Sequence, residues 1–337
     1  MIGAVLLRAG QVAFTFLAAS FLLFAVTEFS PGNVASKILG PYALDSQVAL
    51  LKARLGLEDP LLVRYVRWLG TLAGLTPNPL GDPAIGLGLS DPRGAQYVGN
   101  FGYSLMQKEP VLDVLSERVG NTAVLTAWAI GLTIPISMLL GTLAGIRAGS
   151  AADRAISTVT VTLTSLPEFV TAVALLLVFT AWLGVLPGTS SLDPGDSWSA
   201  ASQLVMPVAV LVIASSAYVT RIVRTSVAVT MERPFVRTAR LKGLSPREIV
   251  VGHVLRNALI APVTVILLQV NWILTGVVVV EAIFAYPGLG SLMLRAALFG
   301  DIYTVQALTL IALAVAVATQ FLGDLAYMAL DPRIRPG

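Results

Sequence analysis

Met231 to Pro262 reads MERPFVRTARLKGLSPREIVVGHVLRNALIAP, and the rest of the chain is organised around it. It is the most basic segment of an apolar chain, lies between two long apolar runs, and carries two helix starts in close succession. Pro234 suits the first position of a helix, where its missing N–H costs nothing, and Gly243 suits the left-handed residue just past a helix end. The spacing therefore predicts a short helix from Phe235 to Lys242, roughly 12 Å long. Ser245-Pro246-Arg247-Glu248 has the form of a capping box: the Ser245 hydroxyl accepts from the Glu248 backbone N–H, and the Glu248 carboxylate reaches back to the N–H of Ser245. A second helix is expected to start at Pro246 and run on into the next apolar segment.

On the short helix, Phe235 and Ala239 share a face at i, i+4 spacing, with Arg237, Arg240 and Lys242 spread over the remainder. A helix this short does not persist alone in water, so something must hold it. Spacing alone leaves two readings open. One is a solvated or lipid-headgroup-facing loop; the other is a lever that fits a groove on a cytoplasmic partner.

Composition sets the class. Of 337 residues, 56% are hydrophobic and only 12% charged, and a mean hydropathy of +0.81 lies far above that of a soluble domain. An all-α polytopic membrane protein is expected. The net charge is only +3, and the basic residues gather in particular loops, so no nucleic-acid footprint is present. The absence of cysteine excludes disulfides and thiolate metal sites.

Met1 to Arg8 is a short cationic start, and Ala9 to Phe29 is an apolar run long enough to cross a bilayer. It reads as a retained helix, being long for a signal peptide and lacking a small-residue cleavage site after it. From Ser30 to about Arg118 the composition turns mixed and rich in turn signals, including TPNPLGDP at Thr76 to Pro83 and SDPRG at Ser90 to Gly94. Within it, Lys52 to Leu75 has helical apolar spacing broken by Pro60, which points to short amphipathic helices in a small extramembrane subdomain. Further spans are expected at Asn121 to Ile146, at Ala155 to Val185 with a kink or break at Pro167, at Gln203 to Thr220, at Leu259 to Val280, and at Thr304 to Met328. The loop from Leu186 to Ser202 holds Asp193 and Asp196 and no Lys or Arg; Tyr286 to Asp301 reads as a Gly-rich turn plus a short helix. The expected division is a first membrane helix at 1–30, an extracytoplasmic subdomain at 31–118, a core at 119–330 containing the basic region 231–258, and a tail at 331–337.

Basic residues in the short loops fall at Arg8, at Arg147 and Arg154, throughout Arg221 to Arg256, and at Arg333 and Arg335, which puts both termini in the cytoplasm. Arg221 to Arg256 carries eight Lys or Arg, and burying them at mid-bilayer would cost on the order of 20 kcal/mol. That loop stays in water.

The chain holds no phosphate-binding GxxxxGK[ST] loop, no HExxH and no GxSxG elbow. Its one histidine, His253, and its lack of cysteine remove most nucleophile and base pairings, so catalysis by this chain alone is not expected. YPGLG at Tyr286 to Gly290 reads as a tight turn. Glu168, inside the third run, and Glu281, ending the fifth, are ionisable groups at membrane depth; each either lines a water-filled path or, for Glu281, caps the outer end of its span. Gln269, Asn271 and Thr275 lie on the fifth span, the last two on one face, where they line a path or bond a neighbouring helix.

Seven segments, in this order, resemble the B-type permease subunit of dipeptide and oligopeptide ABC importers. They are RAGQ with PGN between Leu7 and Asn33, GNFGYSL at Gly99, PVLDVLSERVGNTAVL at Pro110, FVRTARLKGLSPREIVVGHVLRNAL at Phe235, VVVEAIFAYPGLG at Val278, DIYTVQ at Asp301 and LDPRIR at Leu330. The resemblance implies a type I importer permease in the bacterial inner membrane, with six transmembrane helices and a sizeable extracytoplasmic loop subdomain after the first. It also implies a homologous second permease as heterodimer partner, two ABC ATPase subunits beneath, and an extracytoplasmic substrate-binding protein above. The chain itself would carry no cofactor, ATP and magnesium belonging to the ATPases.

The coupling residues the resemblance implies are Phe235, Val236, Arg237, Thr238, Ala239, Arg240, Lys242, Gly243 and Ser245; a translocation path would draw on Glu168, Gln269, Asn271, Thr275 and Glu281. Against the general importer pattern E-A-A-x3-G-x9-I-x-L-P, this sequence keeps Ala239, Gly243 and Leu255. It has Arg237, Thr238, His253 and Arg256 at the other named positions. Glu168 stands where a small polar residue is expected. Relatives with this subunit pattern import peptides, nickel complexes, glutathione or short sugars. The rival classes are an ion-coupled secondary transporter, for which Glu168 is the candidate ion site, and an intramembrane hydrolase, for which no nucleophile pair is evident.

Overall fold

In a bilayer the backbone must satisfy its own N–H and C=O groups, so long apolar runs become helices. The computed structural model of the protein describes residues 2–29, 34–40, 42–81, 91–192 and 198–330. Five of its helices are long and apolar enough to cross a membrane: α1 (Ile2–Glu28), α5 (Val111–Ile146), α8 (Ala200–Met231), α12 (Ile260–Ile283) and α14 (Ile302–Leu330). A sixth span comes from the pair α6 (Ala151–Thr164) and α7 (Glu168–Leu175), the latter extended by a π-helical stretch to Trp182, if the two count as one. They meet at 102°. The bend falls at Pro167, whose extended backbone (φ −59°, ψ 142°) precedes α7 and whose ring cannot continue a helix.

The shorter helices are α2 (Val34–Leu39), α3 (Asp45–Arg54), α4 (Leu61–Leu72), α9 (Pro234–Leu241), α10 (Pro246–Glu248), α11 (Arg256–Ala258) and α13 (Leu289–Phe299). Among the described residues, β structure is limited to two isolated bridges, Ala73 with Val98 and Tyr103 with Pro110. Asp193, Asp196, residues 82–90 of the turn-rich segment, Asn33 and the 331–337 tail lie outside the described residues. Two span boundaries differ from the sequence expectation by ten residues or more. α5 starts at Val111, ten residues before Asn121, and α8 runs past Thr220 to Met231. In both cases the helix outlasts its apolar run, carrying Asp113, Glu117 and Arg118 at one end and Arg221 and Arg224 at the other.

The chain forms two compact units, residues 10–121 with 291–317, and residues 1–9 with 122–290 and 318–337. In the first, Ala35, Leu51, Leu55 and Leu80 form a small core. α4 places Tyr65 and Trp68 on Phe24, and Tyr65 edge-on to Phe21 at 5.1 Å; Ser20 and Tyr65 share a hydrogen bond at 2.7 Å. Arg64 pairs with Glu28. Asp301 accepts from the hydroxyls of Ser104 at 2.6 Å and Thr304 at 2.9 Å, which caps α14 and ties the GNFGYSL segment to it. Thus Lys52 to Leu75 falls in two short helices, α3 and α4, that stop and restart on either side of Pro60, as its spacing predicts.

The second unit is built round α8, whose residues Met206, Val208, Val210, Leu211 and Val212 are buried among Leu125 and Ala129 of α5, Ala172 of α7, and Ile273, Val277 and Val280 of α12. Further along, α5 and α8 approach closely at Gly141 and Gly145. A Cβ at either would lie 2.8 Å from the carbonyl oxygen of Thr220 or Arg224 respectively. This small-xxx-small contact is a membrane-helix packing device.

Candidate functional site

α9 closes as its sequence dictates. Pro234 is its first residue and Lys242 its cap. Gly243 takes φ +75°, the Gly243 N–H bonds the Arg240 carbonyl at 3.0 Å, and the Leu244 N–H bonds the Ala239 carbonyl at 3.3 Å. This is a Schellman end, with Leu244 packed on the same apolar cluster as Ala239. Directly after it, the Ser245 hydroxyl accepts from the Glu248 N–H at 3.3 Å and Glu248 Oε2 accepts from the Ser245 N–H at 2.8 Å. The capping box is formed, and the Ser245 hydroxyl followed by its N–H holds the Glu248 carboxyl below the usual carboxylate range. The second helix then differs from a simple continuation. Residues Ile249–Leu255 wind as a π-helix, α11 adds one turn, and α12 begins afresh at Ile260.

The inward face of α9 is not Phe235 with Ala239 but Val236 with Ala239, which are 1% and 6% exposed while Phe235 is 39% exposed. Val236 and Ala239 pack with Val219, Val223 and Val227 of α8 and with Ile249, Val254 and Ala258. The choice of face is made by that non-local wall, which i, i+4 spacing within α9 does not reveal. Phe235, Arg237, Thr238, Arg240, Lys242, Gly243 and Ser245 are all exposed, and so are Arg247, His253 and Arg256. Exposed Leu241 adds an apolar knob among the cations.

This surface sits on a braced seat. Ser226 of α8 donates a hydrogen bond to the Ala258 carbonyl of α11. Arg224, one turn from Val227, donates to Asp153 through Nε at 2.9 Å and Nη2 at 2.6 Å. Asp153 is buried in the first turn of α6 and also accepts from the Gly149 N–H at 2.8 Å and the Ser157 hydroxyl at 3.2 Å. With the contact of Gly141 and Gly145 on α8, the ends of α5, α6 and α8 and the whole of α9 to α11 form one block. Sequence reasoning placed Asp153 only in a polar turn and missed Arg224 and the two glycines. The signal was there: an arginine inside an apolar run needs a partner, and GTLAG has glycines four apart.

The five path candidates are not brought together. Glu281 is wholly buried, accepting from the Thr122 hydroxyl at 2.6 Å and lying against Gly288 of the YPGLG turn. It is therefore not exposed at the end of its span. Gln269 is buried, Asn271 is half-buried with its Oδ1 lacking a hydrogen-bond partner, and Thr275 is exposed and donates back to the Asn271 carbonyl at 3.1 Å. Glu168 is half-buried at the start of α7, beside Gly276 of α12.

Long apolar helices carrying one short basic helix on a braced seat fit a multi-pass membrane protein, and comparison with known proteins makes it a transport permease subunit. The chain belongs to the family described as binding-protein-dependent transport system inner membrane component, which matches residues 137–336. A putative peptide permease protein of Brucella ovis is 31% identical over 325 residues, covering 95% of this chain and 94% of that one. A di/tripeptide transport system permease protein, DppB, of Pseudomonas aeruginosa is 30% identical over 350 residues and covers 97% of both. Among solved structures, the inward-facing MetNI methionine ABC transporter superposes with a TM-score of 0.53 at 19% identity, over 66% of this chain and 99% of that one. That likeness shows the type I importer permease fold.

Proposed function

We propose that this chain is one half of the translocation path of an ATP-driven importer of di- and oligopeptides. A homologous second permease completes the path, two ATPase subunits dock against α9, and a binding protein delivers peptide from the outer side. The observation that carries this reading is α9 itself, a Schellman-closed helix with a basic outer face, fixed by Val236 and Ala239 to the end of α8. A lever held in this way transmits a push as a rigid body. Energy enters because the docked ATPases fit one arrangement of the block better than another. The curated relatives named for peptide transport, similar over almost their whole length, support the substrate class.

The reading places both termini and α9 in the cytoplasm, residues 31–118 outside, and the core at 119–330, in the bacterial inner membrane. The chain contributes no catalysis; ATP and magnesium belong to the partner subunits. Because the sequence has no cysteine, single cysteines report topology without background. Thr238→Cys is expected to react with an impermeant maleimide only in inverted vesicles, and Ala53→Cys only in intact spheroplasts. The opposite pattern overturns the orientation. Peptide uptake by the reconstituted complex, and its loss on Gly243→Pro, tests the coupling: proline fixes φ near −65° where this position needs a positive angle.

A further inference from the structure

Where α7 packs on α12, one carboxylate stands between them. Glu168 opens α7 immediately after the Pro167 break. Its oxygens lie so close to Gly276 that a Cβ at 276 would stand 2.5 Å from Oε2 and 2.8 Å from Oε1. The Trp272 indole, one turn before Gly276, donates a hydrogen bond to the same carboxylate. The constellation opens outward from its unit, since Trp272 is 64% and Phe169 54% exposed.

None of the described cations forms an ion pair with Glu168. A carboxylate at membrane depth is costly without a counter-charge, and it offers about four acceptor sites, of which one indole N–H fills one. The site thus wants a compact cation carrying several donors. A divalent metal would need more ligands, and among the described residues no three His, Cys, Asp or Glu side chains gather to hold one. A primary ammonium carries three donors on a point charge, and an indole face beside it adds attraction for the cation.

Building on the peptide reading above, we infer that Glu168 binds the N-terminal ammonium of the peptide in transit, with Trp272 orienting the carboxylate and Gly276 giving it room.

The test uses the full complex in liposomes, with trialanine as probe. Uptake, binding-protein-stimulated ATP hydrolysis and trialanine affinity of the binding protein are measured together. Glu168→Gln, the same shape without the charge, is expected to lower uptake about tenfold, the size of one charge-assisted hydrogen bond, with hydrolysis and affinity retained. Glu168→Asp recovers part of the loss. In the wild-type complex trapped with trialanine, a carbodiimide activates the carboxylate and the peptide amine displaces it as a urea, leaving an amide on the fragment that contains Glu168. Equal uptake by wild type and Glu168→Gln overturns the proposal and leaves the peptide reading standing. Coupling of Glu168 to a lysine of the second permease in place of trialanine also overturns it, assigning the carboxylate to a subunit contact. Absence of trialanine uptake by the wild type removes the peptide reading and this inference together.

Discussion

Arg224 grips Asp153 with two parallel hydrogen bonds, 2.9 and 2.6 Å long, across 71 residues of sequence. The carboxylate is nearly sealed from solvent and the guanidinium about one-third exposed. The geometry is the fork that only arginine supplies. Removing Arg224 leaves the buried carboxylate unpaired, so Arg224→Met is expected to destabilise the detergent-solubilised protein by about 3 kcal/mol or more, and Asp153→Asn by less, because the guanidinium still reaches solvent. Arg224→Lys restores the charge without the fork and is expected to recover only part. The double replacement Asp153→Leu with Arg224→Met removes both charges and is expected to be more stable than either single variant. Additive losses in a double-mutant cycle would show that the two side chains do not act as a pair.

The approach of α5 to α8 gives a second prediction with an internal control. A Cβ on Gly141 or Gly145 would meet a backbone carbonyl and the Cβ of Val223 or Val227 at 2.6 to 2.8 Å, and backbone cannot swing aside. Gly141→Ala and Gly145→Ala are expected to cost about 1–3 kcal/mol each. Gly131 lies on the same helix with nothing within 4 Å of a Cβ; Gly131→Ala is expected to be neutral or to stabilise by up to about 1 kcal/mol. Unfolding midpoints of the three variants check the order, and a midpoint for Gly141→Ala above that for Gly131→Ala would remove the close packing.

What the sequence could foretell divides along chain distance. Pro167, Gly243 and the Ser245 to Glu248 box act within five residues, and each does what local stereochemistry requires. Spans were legible as apolar runs. Helix ends were not, since the polar turns at Val111 to Arg118 and at Arg221 to Met231 continue helices beyond any apolar limit. The inward face of α9 and the partners of Asp153 and Glu281 depend on residues far along the chain, and no spacing rule reaches those.

α9 separates stability from coupling. Val236→Ala cuts into the cluster formed with Val219, Val223 and Val254 and is expected to cost about 1–3 kcal/mol. Phe235→Ala and Arg240→Glu alter only exposed positions and are expected to shift stability by no more than about 0.5 kcal/mol while sharply lowering peptide uptake. Uptake is measured in the reconstituted complex, and stability on the isolated chain. Wild-type uptake in Arg240→Glu would take the basic face out of the docking reading.

The last prediction concerns the turn that follows α12. Thr122 is bonded at both ends of its hydroxyl: it donates to Glu281 at 2.6 Å and accepts from the Leu289 N–H at 2.8 Å. One side chain of α5 thereby fixes the end of α12 to the start of α13, 159 residues along the chain from Thr122 to Glu281. Thr122→Val, nearly the same shape, takes one hydrogen bond from a buried carboxylate and leaves the Leu289 N–H without its hydroxyl partner, at an expected cost of about 1–3 kcal/mol. Thr122→Ser keeps the hydroxyl and is expected to lose less. The same argument orders the glycines. A Cβ on Gly290 would meet the Cα of Val278 at 2.5 Å, whereas one on Gly288 would meet the Glu281 carboxylate at 2.0 Å. A carboxylate can shift at the expense of its hydrogen bond, but a Cα within the helical backbone of α12 cannot, so Gly290→Ala is expected to be the more damaging. Thermal unfolding of the four variants in one detergent reads the series. A Thr122→Val midpoint equal to that of Thr122→Ser would show that the hydroxyl holds nothing in place.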